Sequence, residues 1–196
     1  MNAQHTKQYV CDAIANCMIP VDIVLEASDG QLLGAHTKNL ENFNHAFPCR
    51  DSVTHELQET VKLTEDSDTL RLLLKFSHNE DYGDVESFGL DRVLALLEAA
   101  KKYGNYIALY ACKVAMNRLA RKNDANALRV IPYKVMHNDY HEMDAIVLAT
   151  MGIPLDQVII SMRKFPEVYI IYALVRHKRS NNRAHSWVLC QKELAA

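Results

Sequence analysis

The chain has 196 residues, 49% hydrophobic and 23% charged, the composition of one ordinary globular domain or of one domain with an appendix. Its 22 basic and 24 acidic residues leave a net charge of −2, which argues against a dedicated nucleic-acid binder. Six Gly and five Pro exclude collagen-like and low-complexity sequence, and a chain of this size buries roughly 70% of its unfolded surface, enough for a core without disulfides or metals.

The first eight residues, Met1 to Gln8, carry no apolar stretch after a positive charge, so no secretory signal is expected. Residues 9–18 place Tyr9, Ala13, Ile14, Cys17 and Met18 at near-helical spacing, which predicts a short helix stopped by Pro20. Asp22 to Ser28 puts Ile23, Leu25 and Ala27 on one face and predicts a strand. Asp29-Gly30 then predicts a type I′ hairpin turn, with Gln31 to His36 as the return strand.

Leu40, Phe43 and Phe47 predict a helix from Thr37 to Phe47, stopped by Pro48. Residues 48–58 are polar and patternless and read as loop. Thr60 to Thr64 alternates and predicts a third strand. A helix follows from Ser67, read as its N-cap, through Leu70, Leu73 and Leu74 to Phe76, with Asp68 favourable to the helix dipole. Residues 77–90 read as an acidic loop.

Val93, Leu94, Leu96, Leu97, Ala100 and Tyr103 form an apolar stripe ending at Gly104, a C-cap. Ile107, Tyr110, Ala111 and Val114 begin a second stripe that runs on through Cys112 and Leu119. Asn123 to Asn126 reads as a seam. Beyond it, Leu128 to Met136, Met143 to Met151 and Phe165 to Val175 predict three further short helices, with Pro132 bending or delaying the first. The longest apolar run, Val168 to Val175, is too short to span a bilayer.

The expected fold class is therefore α+β over residues 21–122, with an all-α extension over 123–196 and an N-terminal segment over 1–20. Asp22-Ile23-Val24-Leu25, the turn, and His36 followed by Leu40 and Phe47 resemble the opening of a BTB/POZ domain. Ser67 to Phe76 fits that family's middle helix, and Leu96-Leu97-Glu98-Ala99-Ala100-Lys101-Lys102-Tyr103, with Leu109 and Cys112, is similar to its helix pair. The three stretches occur in the family's order over about 100 residues, in a style similar to fungal members. The resemblance gives Asp22, His36, Leu40, Phe47, Leu97, Ala100, Tyr103 and Cys112 as signature positions. It implies a small sheet with a hairpin flanked by helices, followed here by a helical extension. In dimeric members a first-strand Asp pairs with a basic residue after the helix-starting His. This chain has Asp22, but Thr37 stands at the basic position and Lys38 one residue on.

No Gly-rich phosphate loop, nucleophile elbow or His-Glu-x-x-His motif occurs. No catalytic, cofactor-binding or metal-ligating residue is accordingly expected, and the chain is read as non-enzymatic. His137 and His141 stand four apart beside Glu142 and read as a solvated polar turn rather than a metal site. His36 reads as a structural histidine bonded at the strand–helix junction, Cys112 as core, and Asp22 either as the head of a dimer pocket or as a carboxylate bonded to nearby backbone.

Five Cys, at 11, 17, 49, 112 and 190, include no Cys-x-x-Cys and read as free thiols in a reducing compartment, cytoplasmic or nuclear. Residues 41–91 carry 4 basic and 12 acidic residues, whereas residues 92–196 carry 16 and 8. Arg176 to Arg183 is a basic cluster that reads as a solvated helix end. The apolar run Trp187 to Cys190 after it reads as packing against earlier helices or a partner.

The function this implies is a protein–protein interaction module without cofactors, acting by self-association or partner recruitment. Its partners are proteins: a second copy of the chain, or a cullin scaffold contacted through Tyr82, Gly83 and Asp84. A nuclear regulator touching nucleic acid through the basic half is the further alternative. No membrane is involved in any of them.

Overall fold

The computed structural model describes residues 9–47, 60–78 and 81–180. Among these residues it is α+β: a three-stranded sheet of order β2-β1-β3 and eight α-helices. Contacts divide the chain into two units, Met1–Lys113 and Val114–Ala196. The division falls inside a helix, earlier than the seam expected at residue 123.

In the first unit, β1 (Ile23–Glu26) pairs antiparallel with β2 (Leu32–Ala35). Leu25 lies opposite Leu33, and both are fully buried on one face. The connecting turn is not type I′, because only Gly30 has a positive φ, +78°. Gly30 N–H donates to Ala27 O at 2.9 Å and Ala27 N–H to Gln31 O at 2.9 Å. That is a three-residue loop, Ser28 to Gly30, closed by a left-handed glycine. Asp29 is instead used by its side chain, which accepts from the Ser67 hydroxyl at 2.7 Å.

The predicted N-terminal helix does not form. Residues 9–20 run as an irregular segment along the outer edge of β2, with a parallel bridge between Cys11 and Gly34. The Asp12 N–H donates to Gly34 O, and the Asp12 carboxylate accepts from Gly34 N–H at 2.8 Å. These bonds to another strand replace the intrahelical ones that periodicity suggested. Gly34 is required here, since a Cβ would collide with the Val10 carbonyl oxygen.

Helix α1 (Thr37–Phe43) ends before the predicted Phe47. Asn44 stops it, at φ −130°, with its amide donating back to Leu40 O at 3.0 Å. Pro48, the expected stop, and the 48–58 loop lie outside the described residues. β3 (Val61–Lys62) is shorter than predicted and pairs parallel to β1, with Lys62 3.6 Å from Glu26.

Helix α2 (Ser67–Phe76) is capped one residue earlier than predicted, by Asp66, whose carboxylate accepts from Thr69 N–H at 2.7 Å. Its apolar face (Leu70, Leu73, Leu74, Phe76) packs on α3 and β2. Each such side chain contributes about 1.5–3 kcal/mol by burial.

The predicted 77–90 loop is partly ordered by a 3₁₀ turn at Val85–Phe88, and α3 (Gly89–Tyr103) starts directly after it. Its buried face holds the predicted Val93, Leu96, Leu97, Ala100 and Tyr103 together with Leu90 and Ala99, while Leu94 is only half-buried, and the helix ends at a left-handed Gly104. Helix α4 (Tyr106–Lys122) carries the unit boundary. Its buried face is Ala108, Cys112, Ala115, Met116 and Ala120, which keeps Cys112 of the predicted stripe but otherwise lies beside it. Ile107 and Tyr110 are therefore exposed.

The second unit continues with α5 (Asp124–Met136), α6 (Met143–Ala149), α7 (Leu155–Met162) and α8 (Pro166–Ser180). Four helices stand where three were predicted, because α7 was not recognised. Helix α5 begins earlier than predicted because the Asn123 side chain caps it by accepting from Ala125 and Asn126 N–H groups. It runs through Pro132. Lys134 sits on its buried face, fully enclosed, with its ammonium 3.2 Å from Asn117 Oδ1 and 3.3 Å from Asp139 Oδ1. The buried Tyr172 hydroxyl meets the Thr150 hydroxyl at 2.8 Å. Arg176, first of the basic cluster, donates to the carbonyls of Ile153 and Met151 at 2.7 and 3.1 Å, so it holds a turn. Arg183 and Trp187 to Cys190 lie outside the described residues. Among the described residues no helix is long and apolar enough to cross a membrane.

Candidate functional site

The positions singled out by the resemblance divide into core and junction. Leu40, Phe47, Leu97, Ala100, Tyr103 and Cys112 are all buried. Phe47 packs on Tyr103 with ring centroids 4.7 Å apart. Burial pushes the Cys112 thiol up to about 12, so it stays protonated and inert at neutral pH. The Asp22 carboxylate accepts from Thr37 N–H at 2.7 Å, the local bond that was one of its two readings.

Tyr82, Gly83 and Asp84 each have an intramolecular engagement. Tyr82 stacks on Phe76 with centroids 4.1 Å apart. Gly83 N–H donates to the Asp81 carboxylate, and the Asp84 carboxylate caps the 3₁₀ turn by accepting from Glu86 N–H at 3.0 Å. Asp84 remains exposed to solvent. His137 caps the end of α5 and packs against Tyr133, while His141 lies on the exposed turn beyond it.

His36 is the junction residue. It is buried between β2 and α1, and its Nδ1 lies 2.9 Å from Pro20 O. A carbonyl oxygen can only accept, so Nδ1 carries a proton, and in the neutral ring Nε2 then presents a lone pair. That lone pair faces Cys17 Sγ at 3.4 Å. His78, just past the end of α2, repeats the arrangement: Nδ1 donates to Leu74 O at 2.7 Å and Nε2 faces Cys11 Sγ at 3.3 Å. The two rings stand edge to face, 5.1 Å apart. The two sulfurs and two ring nitrogens all lie within 4.8 Å of one another.

Local structure aims these groups. Asn16, at φ +61°, turns the chain so that Cys17 folds back, with its N–H on Ile14 O. Burial pushes the Cys11 thiol up, backbone N–H groups of Ile14 and Ala13 pull against that, and the adjacent Cys17 sulfur adds to the rise. The net direction is opposite to that of an activated nucleophile, so the Cys11–His78 pair does not have the electrostatics of a catalytic dyad. Four soft and borderline ligand atoms converging at one point are, by contrast, a set that can hold a metal ion.

Reading the sequence alone does not group these four residues. Cys11 and Cys17 are six apart rather than in a Cys-x-x-Cys, and Cys11 and His78 are separated by 67 positions. Only the pairing of residues 10–12 with β2 brings them together. Comparison with known proteins finds no family model that matches the chain and no curated protein that matches its sequence.

Proposed function

We propose that the chain is a non-enzymatic protein-interaction module of the BTB/POZ type, and that its first unit associates with a second copy of itself. The order of elements supports this reading: hairpin, helix, short parallel strand, then three helices, with the signature residues in the core. The observation that carries it is the exposed face at the start of α4. Tyr106, Ile107 and Tyr110 are 62%, 47% and 73% exposed and share one side of the helix. Aromatic side chains are enriched at the centres of interfaces, and Tyr is among the residues that dominate binding energy.

Light scattering of the full chain across a concentration series tests this. The wild type is expected to exceed the 22.3 kDa monomer mass as concentration rises, and Tyr106→Ser with Tyr110→Ser to return it to monomer. A wild type that stays monomeric throughout overturns the proposal. Binding to a purified cullin that Tyr82→Ala with Asp84→Ala abolishes, without self-association, would replace it by the adaptor reading.

A further inference from the structure

We propose that Cys11, Cys17, His36 and His78 bind one zinc ion in a closed, four-ligand structural site that fastens the N-terminal segment to the sheet and to the end of α2. The site draws on three separate places: the segment before β1, the β2–α1 junction, and the residues just past α2. It stands independently of the interaction module proposed above.

Distance is the first argument. With Zn–S of about 2.3 Å and Zn–N of about 2.0–2.1 Å, a regular tetrahedron has sulfur-to-nitrogen edges of about 3.5 Å. The two Cys–His pairs stand at 3.3 and 3.4 Å, and all four atoms fall inside 4.8 Å. The cluster therefore closes around an ion of this size with small side-chain adjustments.

Tautomer is the second. Both imidazoles commit Nδ1–H to a backbone carbonyl, Pro20 O and Leu74 O, and turn Nε2 toward the sulfurs. A metal-bound histidine is held in this way, with the far ring nitrogen donating so that the near one is unprotonated and correctly oriented. Two histidines from different elements share the arrangement and converge on the same point.

Chemistry selects the ion. Two thiolates and two imidazoles in tetrahedral disposition suit zinc over the harder oxygen-seeking cations. Binding releases one proton from each thiol to solvent, and two thiolates balance the double positive charge, leaving a neutral site. Four protein ligands leave no open position, so the ion is structural rather than catalytic. Its effect is to reinforce the hold that the Cys11–Gly34 bridge, the Asp12 bonds and the buried Ala13 already have on residues 11–17.

The test is metal analysis of the reduced full-length chain, prepared anaerobically and supplied with zinc, then with cobalt(II) as a spectroscopic substitute. One equivalent of zinc per chain is expected, together with a tetrahedral cobalt spectrum carrying thiolate-to-metal charge transfer. Cys17→Ser and His78→Gln should each raise the dissociation constant by more than the roughly 10–100-fold that follows loss of a hydrogen-bonded support to a ligand. Cys112→Ala, outside the cluster, should retain full stoichiometry. Where either ligand variant fails to fold, the wild-type cobalt spectrum decides: charge transfer from two thiolates supports the site, and its absence overturns it. No metal uptake by the reduced wild type, including a chain that simply re-forms a Cys11–Cys17 disulfide, or uptake unchanged in both ligand variants, also overturns it.

Discussion

Tyr103, the last residue of α3, donates its hydroxyl to the Glu65 carboxylate at 2.5 Å, tying the end of that helix to the segment that leads into α2. Lys102 reaches the other Glu65 oxygen at 2.8 Å. Burial pushes Glu65 up, but the hydrogen bonds from Lys102 and Tyr103 outweigh it and hold the carboxyl below the usual glutamate range. Burial and the same carboxylate push the Tyr103 hydroxyl far above its ordinary value, so it serves as a donor at every working pH.

The lowered Glu65 value sets a pH dependence. The folded chain binds fewer protons at this group than the unfolded chain in the acid range, so its contribution is complete above the ordinary carboxylate value and fades as pH falls through the folded one. Glu65→Gln should cost about 1–3 kcal/mol at neutral pH. Urea unfolding of both forms should show that difference shrinking from about pH 5 downward. A difference that grows on acidification would contradict the assignment.

Asn44 joins three elements through buried hydrogen bonds. Its amide donates to Leu40 O and Ser77 Oγ, both at 3.0 Å, and its carbonyl oxygen accepts from Asn105 Nδ2 at 3.1 Å. Asn105 in turn accepts from Ala108 N–H and so starts α4. Asn44→Ala leaves enclosed groups without their partner, and a loss of about 1–3 kcal/mol is expected. Asn44→Ala and Asn105→Ala together should cost less than the sum of the two singles, measured by a double-mutant cycle.

Lys134 and Asp139 should respond unequally to removal. The lysine side chain is fully enclosed, whereas Asp139 keeps 17% of its side chain in solvent. Asp139→Ala takes the carboxylate from a desolvated ammonium and should cost about 3–5 kcal/mol. Lys134→Met keeps the apolar stem and lets the carboxylate hydrate, so its cost should stay below about 1.5 kcal/mol. Equal losses in chemical denaturation would show that the two groups are desolvated alike.

Legibility in the sequence followed the range of the interactions. Leu25 opposite Leu33, the α2 leucines and the stripe ending at Gly104 are local patterns, and they read correctly. The face of α4 did not, because Tyr110 and Ile107 look like core by hydropathy while the buried positions are the small residues around Cys112 and Met116. The hairpin was recognised from Asp29-Gly30, but the Asp29 bond to Ser67, which forms across 38 positions, has no local trace. The Cys–His cluster is the extreme of this. Each member looks ordinary where it stands, and its meaning comes from a strand-edge pairing that spacing cannot reveal.

Gly34 also bears on how the sheet can be extended. With no side chain there, residues 10–12 of the same molecule lie against β2 and satisfy the Gly34 amide and carbonyl. An incoming strand from another molecule would first have to peel that stretch away. Among the described residues, the opposite margin offers only Val61 and Lys62. Among the described residues, growth by backbone zippering is thereby discouraged at both margins, which leaves side chains on helical surfaces as the route for any union with a neighbour.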